Sequence, residues 1–256
     1  MRYLETHHLP GDVNMALDVI LGELSLKMGP ILRVYSWERP TLSLGRHQRE
    51  SDVDFEALNE LGIGCVRRPS GGRAVLHFHE VTYSVAFPRW SEEYSMKTME
   101  LYRMISGVLM EGLKKLGFEV EMDSGRGWMP KNPSCFSSGA RGEIKIDGKK
   151  VVGSAQFRTE DFVLQHGSIL LRGEWGLLSA VLSSHPSPVD LSKSAVGLAE
   201  LRGVSFREVA DAIIESFDEE YSLDWMDYGE VLAVLEDAKK IRGDFSCRSS
   251  TWSQRR

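Results

Sequence analysis

One cysteine stands in surroundings that suit covalent chemistry. Cys135 lies in the polar stretch 123–142, the longest part of the chain without clear helical or strand periodicity, and loops of that length are often functional. Six cationic and two anionic side chains lie between Gly125 and Lys150, which gives this stretch a charge of +4 in a chain of net charge −6. A cationic environment favours the thiolate, the nucleophilic form of cysteine. We therefore interpret Cys135 as a candidate nucleophile.

The other two cysteines show no such signal. Cys65 lies between Gly64 and Val66, a setting typical of buried cysteines that act as small apolar side chains. An odd number of widely separated cysteines without a CxxC pair does not indicate a disulfide framework or a thiolate zinc site. We expect Cys65, Cys135 and Cys247 to be free thiols.

A loop rich in glycine and arginine is the second candidate for chemistry. Residues 67–75 read RRPSGGRAV, which places a proline, two adjacent glycines and three arginines in front of a predicted strand. Glycines let the backbone approach a ligand closely. The spacing of a phosphate-binding P-loop is absent, both here and around residues 148–150. The simplest alternative is a structural turn rimmed by solvated arginines.

Histidines on predicted strands are weaker candidates. His77 and His79 alternate on a predicted strand edge and should point to the same face, whereas His166 lies near a strand centre. A metal site needs further ligands at suitable spacing, and only Glu80 is close to the first pair. We expect no metal, and histidines that lie in the core or on the surface.

Composition narrows the class of protein. The chain has 256 residues, 42% of them hydrophobic. It contains no apolar run long enough to span a membrane and no signal-peptide pattern at its N-terminus. We therefore expect a soluble, cytoplasmic protein. The net charge of −6 is unlike that of a nucleic-acid-binding protein, so neither DNA nor RNA is an expected partner.

Local patterns predict both helices and strands. Helical periodicity covers 12–24, with Asp12 as its N-cap, and also 99–116 and 231–240. Ser205 and Glu208 form a capping box in front of a further helix. The predicted strands cover 31–37, 41–44, 81–87 and 162–171.

A hairpin is predicted around Asp147 and Gly148. The dipeptide tolerates the positive φ angles of a type I′ turn, and it joins residues 143–146 to residues 149–152. Lys150 therefore lies early on the return strand. Because strands and helices do not alternate as regular βαβ units, the fold class α+β is favoured over a doubly wound parallel sheet.

Four stretches together resemble the lipoate-protein ligase and octanoyltransferase family, which is related to biotin protein ligases. They are 14–18 (NMALD), 67–77 (RRPSGGRAVLH), 148–156 (GKKVVGSAQ) and 165–168 (QHGS). The resemblance extends over most of the chain. It implies a single biotin/lipoate ligase-like catalytic domain over 1–245, with a mixed, largely antiparallel sheet flanked by helices, and a polar tail over 246–256.

The resemblance also implies roles for particular residues. The arginine-glycine loop is similar to the wall of the family's acyl site, and Lys150 matches the lysine that holds the acyl carbonyl. Cys135 and Lys150 are then the catalytic residues, with no metal. The substrate-binding residues implied are Arg68, Ser70, Gly71, Gly72, Arg73, His77, Gly153, Ser154, Gln156 and His166.

Two kinds of chemistry occur among proteins of this family. Ligases activate a free acid with ATP and usually have an accessory C-terminal domain, whereas transferases use a cysteine and need no nucleotide. The chain ends soon after the 231–240 helix, which leaves no room for such a domain, and PSCF followed by GKKVVGSAQ is similar to the LipM-type octanoyltransferases. One departure is His77-Phe78-His79-Glu80, where relatives commonly have an acidic residue directly after the histidine.

The implied function is transfer of an octanoyl group through a Cys135 thioester, without a cofactor. The donor is octanoyl acyl carrier protein, and the acceptor lysine belongs to a glycine cleavage H protein or to the lipoyl domain of a 2-oxoacid dehydrogenase. Lys150 and the backbone N–H groups near Gly71 and Gly72 would stabilise the oxyanion. Three alternatives stay open: an ATP-dependent lipoate ligase with a separate accessory domain, an octanoyl amidotransferase, and an inactive paralogue that sequesters acylated carriers.

Overall fold

A computed structural model describes residues 1–123 and 142–247 of the chain. Its helices alternate irregularly with strands along the sequence. They are α1 (Gly11–Met28), α2 (Phe55–Glu60), α3 (Glu92–Ser95), α4 (Thr98–Lys115), α5 (Trp175–Ala180), α6 (Pro188–Ser194), α7 (Leu198–Leu201), α8 (Phe206–Tyr221) and α9 (Tyr228–Ile241), with short 3-10 helices at Glu50–Asp52 and Arg242–Phe245.

The strands form two sheets. They are β1 (Arg2–Leu9), β2 (Ile31–Trp37), β3 (Thr41–Leu44), β4 (Gly64–Arg67), β5 (Val75–His77), β6 (Glu80–Pro88), β7 (Glu121–Met122), β8 (Ile144–Ile146), β9 (Lys149–Arg158), β10 (Phe162–Leu170) and β11 (Asp224–Trp225). The large sheet has the order β11-β1-β2-β6-β10-β9-β8-β7, and the small sheet has the order β4-β3-β5.

The large sheet is mixed but mostly antiparallel. Neighbouring strands from β2 through β6, β10, β9 and β8 to β7 pair antiparallel, whereas β1 is parallel to both β2 and β11. In the small sheet, β3 is parallel to β4 and antiparallel to β5. The predicted α+β class, with a largely antiparallel sheet flanked by helices, is confirmed.

Helix α1 covers one face of the large sheet. Its apolar residues Val13, Leu17 and Leu21 belong to a buried cluster with side chains of β2, β6 and β10. The predicted helix is confirmed, but the predicted N-cap is wrong. Pro10 occupies the capping position, and Asp12 lies in the first turn, where its carboxylate accepts a hydrogen bond from the N–H of Val13.

The other periodic segments form where the sequence predicts them. Helix α4 buries Leu101, Ile105 and Leu109, one turn apart, against the opposite apolar core. The capping box at Ser205 is present at the start of α8. Asp147 and Gly148 have φ angles of 50° and 72°, as a type I′ turn requires. Within residues 1–123 and 142–247, no helix is long and apolar enough to cross a membrane.

The cysteine prediction is wrong for two of the three residues. Cys65 on β4 and Cys247, which follows the last 3-10 helix, form a disulfide with a Cα–Cα distance of 5.5 Å. They are 182 positions apart, so no local pattern could reveal the pair. The predicted domain limit at 245 stays a prediction; Ser246 bridges Val66 of β4, and residues 248–256 lie outside the described part of the chain.

Candidate active site

A cavity of about 240 Å³ opens where the middle of the large sheet meets α1 and the arginine-glycine loop. The sequence predicts about half of its lining. The predicted residues that line it are Arg68, Gly72, Arg73, His77, Gly153, Ser154 and His166. The residues that the sequence did not single out as site residues are Met15, Tyr35, Ser43, Val75, Thr82, Glu143, Ala155, Gly167 and Ser168.

Strand register explains why distant motifs meet at this cavity. On β9 and β10, Gly153 pairs with Ser168, Ser154 with Gly167 and Ala155 with His166. The 148–156 and 165–168 stretches therefore run side by side. Gly167 is required by this close approach, since a Cβ there would lie 2.6 Å from the Ser154 hydroxyl oxygen.

The loop 68–73 is organised around a buried guanidinium group. The Nη1 atom of Arg68 donates to the carbonyl oxygen of Ser43 at 3.0 Å, and Nη2 donates to the carbonyl oxygens of Gly71 at 2.8 Å and Arg73 at 2.7 Å. Arg68 is buried, and so is Arg67, whose Nη1 donates to loop carbonyls including that of Gly45. The alternative of a turn with solvated arginines is therefore wrong for these two residues.

A hydroxyl, an imidazole and a carboxylate form a chain beside the cavity. The Ser70 hydroxyl lies 2.6 Å from Nε2 of His166, and Nδ1 of His166 lies 2.9 Å from Oδ2 of Asp18. Because the Asp18 carboxylate can only accept, Nδ1 of His166 donates to it. This hydrogen bond fixes the orientation of the imidazole ring.

Asp18 is fully buried and has partners on both oxygens. Oδ1 accepts from Arg33 at 2.9 Å and from Ser84 at 2.8 Å, while Oδ2 accepts from Tyr35 at 3.0 Å as well as from His166. Burial raises the pKa of Asp18, but the hydrogen bond from His166 and the charge of Arg33 outweigh it, so the pKa lies below its ordinary value. Asp18 is therefore an anion inside the protein.

A second chain of the same kind also contacts the cavity, through Ser43 and His77. The Ser43 hydroxyl is 2.7 Å from Nε2 of His77, and Nδ1 of His77 is 2.7 Å from Oε1 of Glu80. Trp37 stacks on the imidazole with ring centroids 4.1 Å apart. Glu80, three positions after His77, supplies the carboxylate of this chain.

The expectation that His77 and His79 share a face is wrong. β5 ends at His77, and His79 lies in the following turn. The side chain of His79 is 43% exposed and lies 3.4 Å from Glu174, whereas His77 is buried at the cavity. The strand-like alternation breaks because the chain turns sharply there into β6.

Lys150 and Glu143 form a buried ion pair. Nζ of Lys150 donates to Oε1 of Glu143 at 2.5 Å, and the two side chains are 2% and 4% exposed. Glu143 lines the cavity, whereas Lys150 lies behind it. The backbone of Lys150 is held by Val196, whose N–H donates to the Lys150 carbonyl oxygen at 3.0 Å.

Besides Lys150, three predicted residues do not line the cavity, and one cannot be placed. Ser70 contacts it through His166, and the Gly71 carbonyl accepts from Arg68. The amide of Gln156 donates to Oε1 of Gln165 at 2.8 Å, away from the cavity. Cys135 lies outside the described residues.

Sequence reasoning missed the carboxylates, although one of them left a signal. Asn14 and Asp18 lie four positions apart on the otherwise apolar inner face of α1, and buried polar side chains on such a face need partners. In the sequence, Glu143 is notable only as one of the two anionic side chains between Gly125 and Lys150. Its position beside Lys150 depends on the pairing of β8 with β9.

This arrangement can bind an apolar acyl group and move protons. Met15, Val75 and Ala155 contribute apolar surface to the cavity. Each of two imidazoles has its Nδ1 bound to a carboxylate, and its Nε2 lies within hydrogen-bond distance of a serine hydroxyl. A buried ammonium group lies next to the cavity on Lys150.

Solved structures share this fold over nearly the whole chain. A bi-partite lipoate protein ligase from Thermoplasma acidophilum superimposes with a TM-score of 0.77 at 21% identity, covering 98% of this chain and 94% of that one. Lipoate-protein ligase A bound with ATP gives a TM-score of 0.74 at 23% identity, covering 94% of each chain. The architecture is thus that of the biotin/lipoate ligase-like catalytic domains.

Sequence comparison identifies the family. Residues 10–218 match the sequence model of the lipoyl protein ligase A/B catalytic domain, and the chain belongs to this family. Octanoyltransferase LipM from Kyrpidia tusciae is 42% identical over 85% of this chain and 86% of its own length. Octanoyltransferase LipM from Moorella thermoacetica is 36% identical over 100% of this chain and 98% of its own length.

Proposed function

We propose that this protein is an octanoyltransferase of lipoate biosynthesis. It moves an octanoyl group from acyl carrier protein to the acceptor lysine of a lipoyl-accepting protein. The observation that carries the proposal is similarity to relatives named Octanoyltransferase LipM, which reaches 42% identity and, in one relative, covers both chains almost completely. The proposed location is the cytoplasm.

The first step is acylation of the enzyme. The thiolate of Cys135 attacks the carbonyl carbon of the octanoyl thioester, an oxyanion forms, and the carrier thiolate leaves and takes up a proton. Lys150 and backbone N–H groups near Gly71 and Gly72 stabilise the oxyanion. The presence of a buried ammonium beside an apolar-lined cavity supports this role for Lys150.

The second step is transfer to the acceptor. The free amine of the acceptor lysine attacks the Cys135 thioester, the C–N bond forms and the C–S bond breaks. Conversion of a thioester to an amide is downhill, so no ATP is needed. The proposed acceptors are a glycine cleavage H protein or the lipoyl domain of a 2-oxoacid dehydrogenase.

ATP-dependent ligation is the competing function. The structural neighbours include lipoate-protein ligase A bound with ATP and a bi-partite lipoate protein ligase. At identities of 23% and 21% these neighbours share the fold, which both chemistries use. The relatives at higher identity are named octanoyltransferases, and this favours the cysteine route.

A nucleotide-free transfer assay tests the proposal. Purified protein is mixed with octanoyl carrier protein and then with an acceptor, and intact mass is recorded at each stage. We expect one octanoyl group on Cys135, removable by hydroxylamine, followed by an octanoylated acceptor. Free octanoate or lipoate with ATP and magnesium should give no product.

The controls separate the two functions. Cys135→Ser should keep the fold but lose the adduct and turnover, because a serine hydroxyl is a far poorer nucleophile than a thiolate. If ATP and free lipoate alone modify the acceptor, and Cys135→Ala leaves that activity intact, the protein is a ligase instead.

A further inference from the structure

We propose that Glu143 is a further catalytic residue, which binds the amine of the acceptor lysine and takes up its proton during transfer. The inference rests on the proposed octanoyltransferase function. It assigns to this carboxylate a role in the second step, whereas Lys150 stabilises the oxyanion of the first step.

The two oxygens of Glu143 have different surroundings. Oε1 accepts from Nζ of Lys150 at 2.5 Å. Oε2 is buried and has no hydrogen-bond partner among the described residues. Glu143 itself is 4% exposed and lines the cavity. A buried acceptor atom without a donor is unfavourable, and an incoming N–H group would satisfy it.

The other buried carboxylates near the cavity are less suited to this role. Both oxygens of Asp18 already accept hydrogen bonds from Arg33, Ser84, Tyr35 and His166. Oε2 of Glu80 also lacks a partner within the described residues, but Glu80 does not line this cavity. In the described part of the chain, Glu143 combines a place on the cavity wall with an unoccupied carboxylate oxygen.

Lys150 is the counter-charge of this carboxylate. A buried anion without a counter-charge is strongly unfavourable, and the Lys150 ammonium supplies that charge at hydrogen-bond distance. The pair is therefore one unit with two functions. Its cation faces the developing oxyanion and its anion faces the attacking amine.

The proton can be followed through the step. The acceptor enters as a free amine, and its nitrogen lone pair forms the C–N bond to the thioester carbon. The positively charged nitrogen of this adduct gives one proton to Oε2 of Glu143. The C–S bond then breaks to leave the amide and the Cys135 thiolate, and Glu143 gives its proton to solvent, which restores the carboxylate.

Single-turnover kinetics with two nucleophiles test the proposal. Octanoyl-enzyme is prepared from wild type and from Glu143→Gln, and each is mixed with acceptor protein or with hydroxylamine. We expect transfer to the acceptor to slow by roughly 10²- to 10⁴-fold, the usual contribution of a general base. Hydroxylamine cleavage should be unchanged, because its adduct is acidic enough to lose a proton directly to water.

Matched variants control for charge and fold. Glu121→Gln makes the same exchange at an exposed position of β7 and should behave as wild type. The rate of enzyme acylation and the melting temperature report whether Glu143→Gln is folded. If it does not fold, Glu143→Asp keeps the charge and withdraws the carboxylate by one methylene, and it should acylate normally but transfer slowly.

The experiment distinguishes failure of the Glu143 inference from failure of the proposed function. Unchanged transfer to the acceptor in folded Glu143→Gln or Glu143→Asp would overturn the inference. Equal slowing with both nucleophiles would also overturn it, because Glu143 would then act on the acyl-enzyme through Lys150. If wild type forms no octanoyl adduct on Cys135, the proposed function itself falls, and the inference falls with it.

Discussion

Lys150 is a charged side chain in a place where charges are costly. Its ammonium group is 2% exposed and paired with Glu143, which is 4% exposed. Replacing a buried ion pair by apolar residues is often neutral or stabilising, so stability alone does not explain the pair. The proposed catalytic use of both charges would explain it.

Lysine and arginine should not be interchangeable at position 150. We expect Lys150→Ala to slow acylation by roughly 10²- to 10³-fold, as loss of one oxyanion donor typically does. Lys150→Arg should not restore the rate, because a planar guanidinium cannot replace a compact ammonium at one oxygen. The measurement is the rate of octanoyl-enzyme formation by intact mass.

Lys149→Ala provides the control for this series. Lys149 is the preceding residue of β9 and is only partly buried, so its removal should leave acylation unchanged. Melting temperatures show whether each variant is folded. If Lys150→Arg is acylated at a rate within a few-fold of the wild-type rate, the lysine does not have the proposed role in stabilising the oxyanion.

At the scale of elements, α1 is joined to the large sheet by charge as well as by apolar packing. Asp18 of α1 binds Arg33 of β2, Ser84 of β6 and His166 of β10. Arg33 and Ser84 are register partners on adjacent strands, and so are Ser84 and His166. One carboxylate thus fixes the helix over three strands and orients a cavity imidazole.

Removing the Asp18 charge should destabilise the protein in a pH-dependent way. Asp18→Asn leaves Arg33 buried without its counter-charge, so we expect the free energy of unfolding to fall by about 3–5 kcal/mol at neutral pH. The measurement is urea unfolding at a series of pH values.

The sign of the pH dependence follows from the lowered pKa of Asp18, in which burial is outweighed by the hydrogen bond from His166 and the charge of Arg33. Such a group stabilises the folded state above its unfolded pKa, about 3.9, and this contribution is lost as the pH falls through the folded value. Wild type and Asp18→Asn should therefore converge in acid. The control is Asp12→Asn, which removes a partly exposed ion pair with Arg242 and should change the free energy of unfolding little. Equal stability of Asp18→Asn and wild type at neutral pH would contradict the prediction.

At the scale of the whole molecule, the disulfide joins the small sheet to the end of the described chain. Cys65 belongs to β4, and Nη2 of Arg67 on the same strand donates to the carbonyl oxygen of Cys247 at 3.2 Å. Arg67 in turn holds loop carbonyls next to the arginine-glycine loop. The last described residue and the segment next to the arginine-glycine loop are thus connected through the side chain of Arg67.

Thiol counting should reveal this pair. Under denaturing, non-reducing conditions we expect iodoacetamide to label Cys135 alone, because the other two of the three cysteines are paired. After reduction all three should be labelled. The mass increase per chain is the measurement.

Loss of the disulfide should lower stability without touching the cavity. The variant with Cys65→Ser and Cys247→Ser should lose about 2–4 kcal/mol of unfolding free energy relative to oxidised wild type. Reduced wild type serves as the matched control and should resemble the variant. Three labelled thiols before reduction, or equal stability of the oxidised and reduced forms, would show that the pair does not form.

The sequence by itself determined the elements and the family. Helices α1, α4, α8 and α9, the strand pair around Asp147-Gly148 and the α+β class follow from periodicity, capping and turn chemistry, which act over a few residues. The motif stretches 67–77 and 148–156 identified the family for the same reason, since each is a local run of residue types.

Only the tertiary structure decided which side chains meet. The contact between Asp18 and His166 spans 148 positions, and the disulfide spans 182. Strand register and helix packing bring these residues together, and both depend on burial of apolar surface over the whole chain rather than on local pattern. For that reason the sequence predicted Lys150 and His166 as site residues, while the fold supplied Glu143 and Asp18 as their partners.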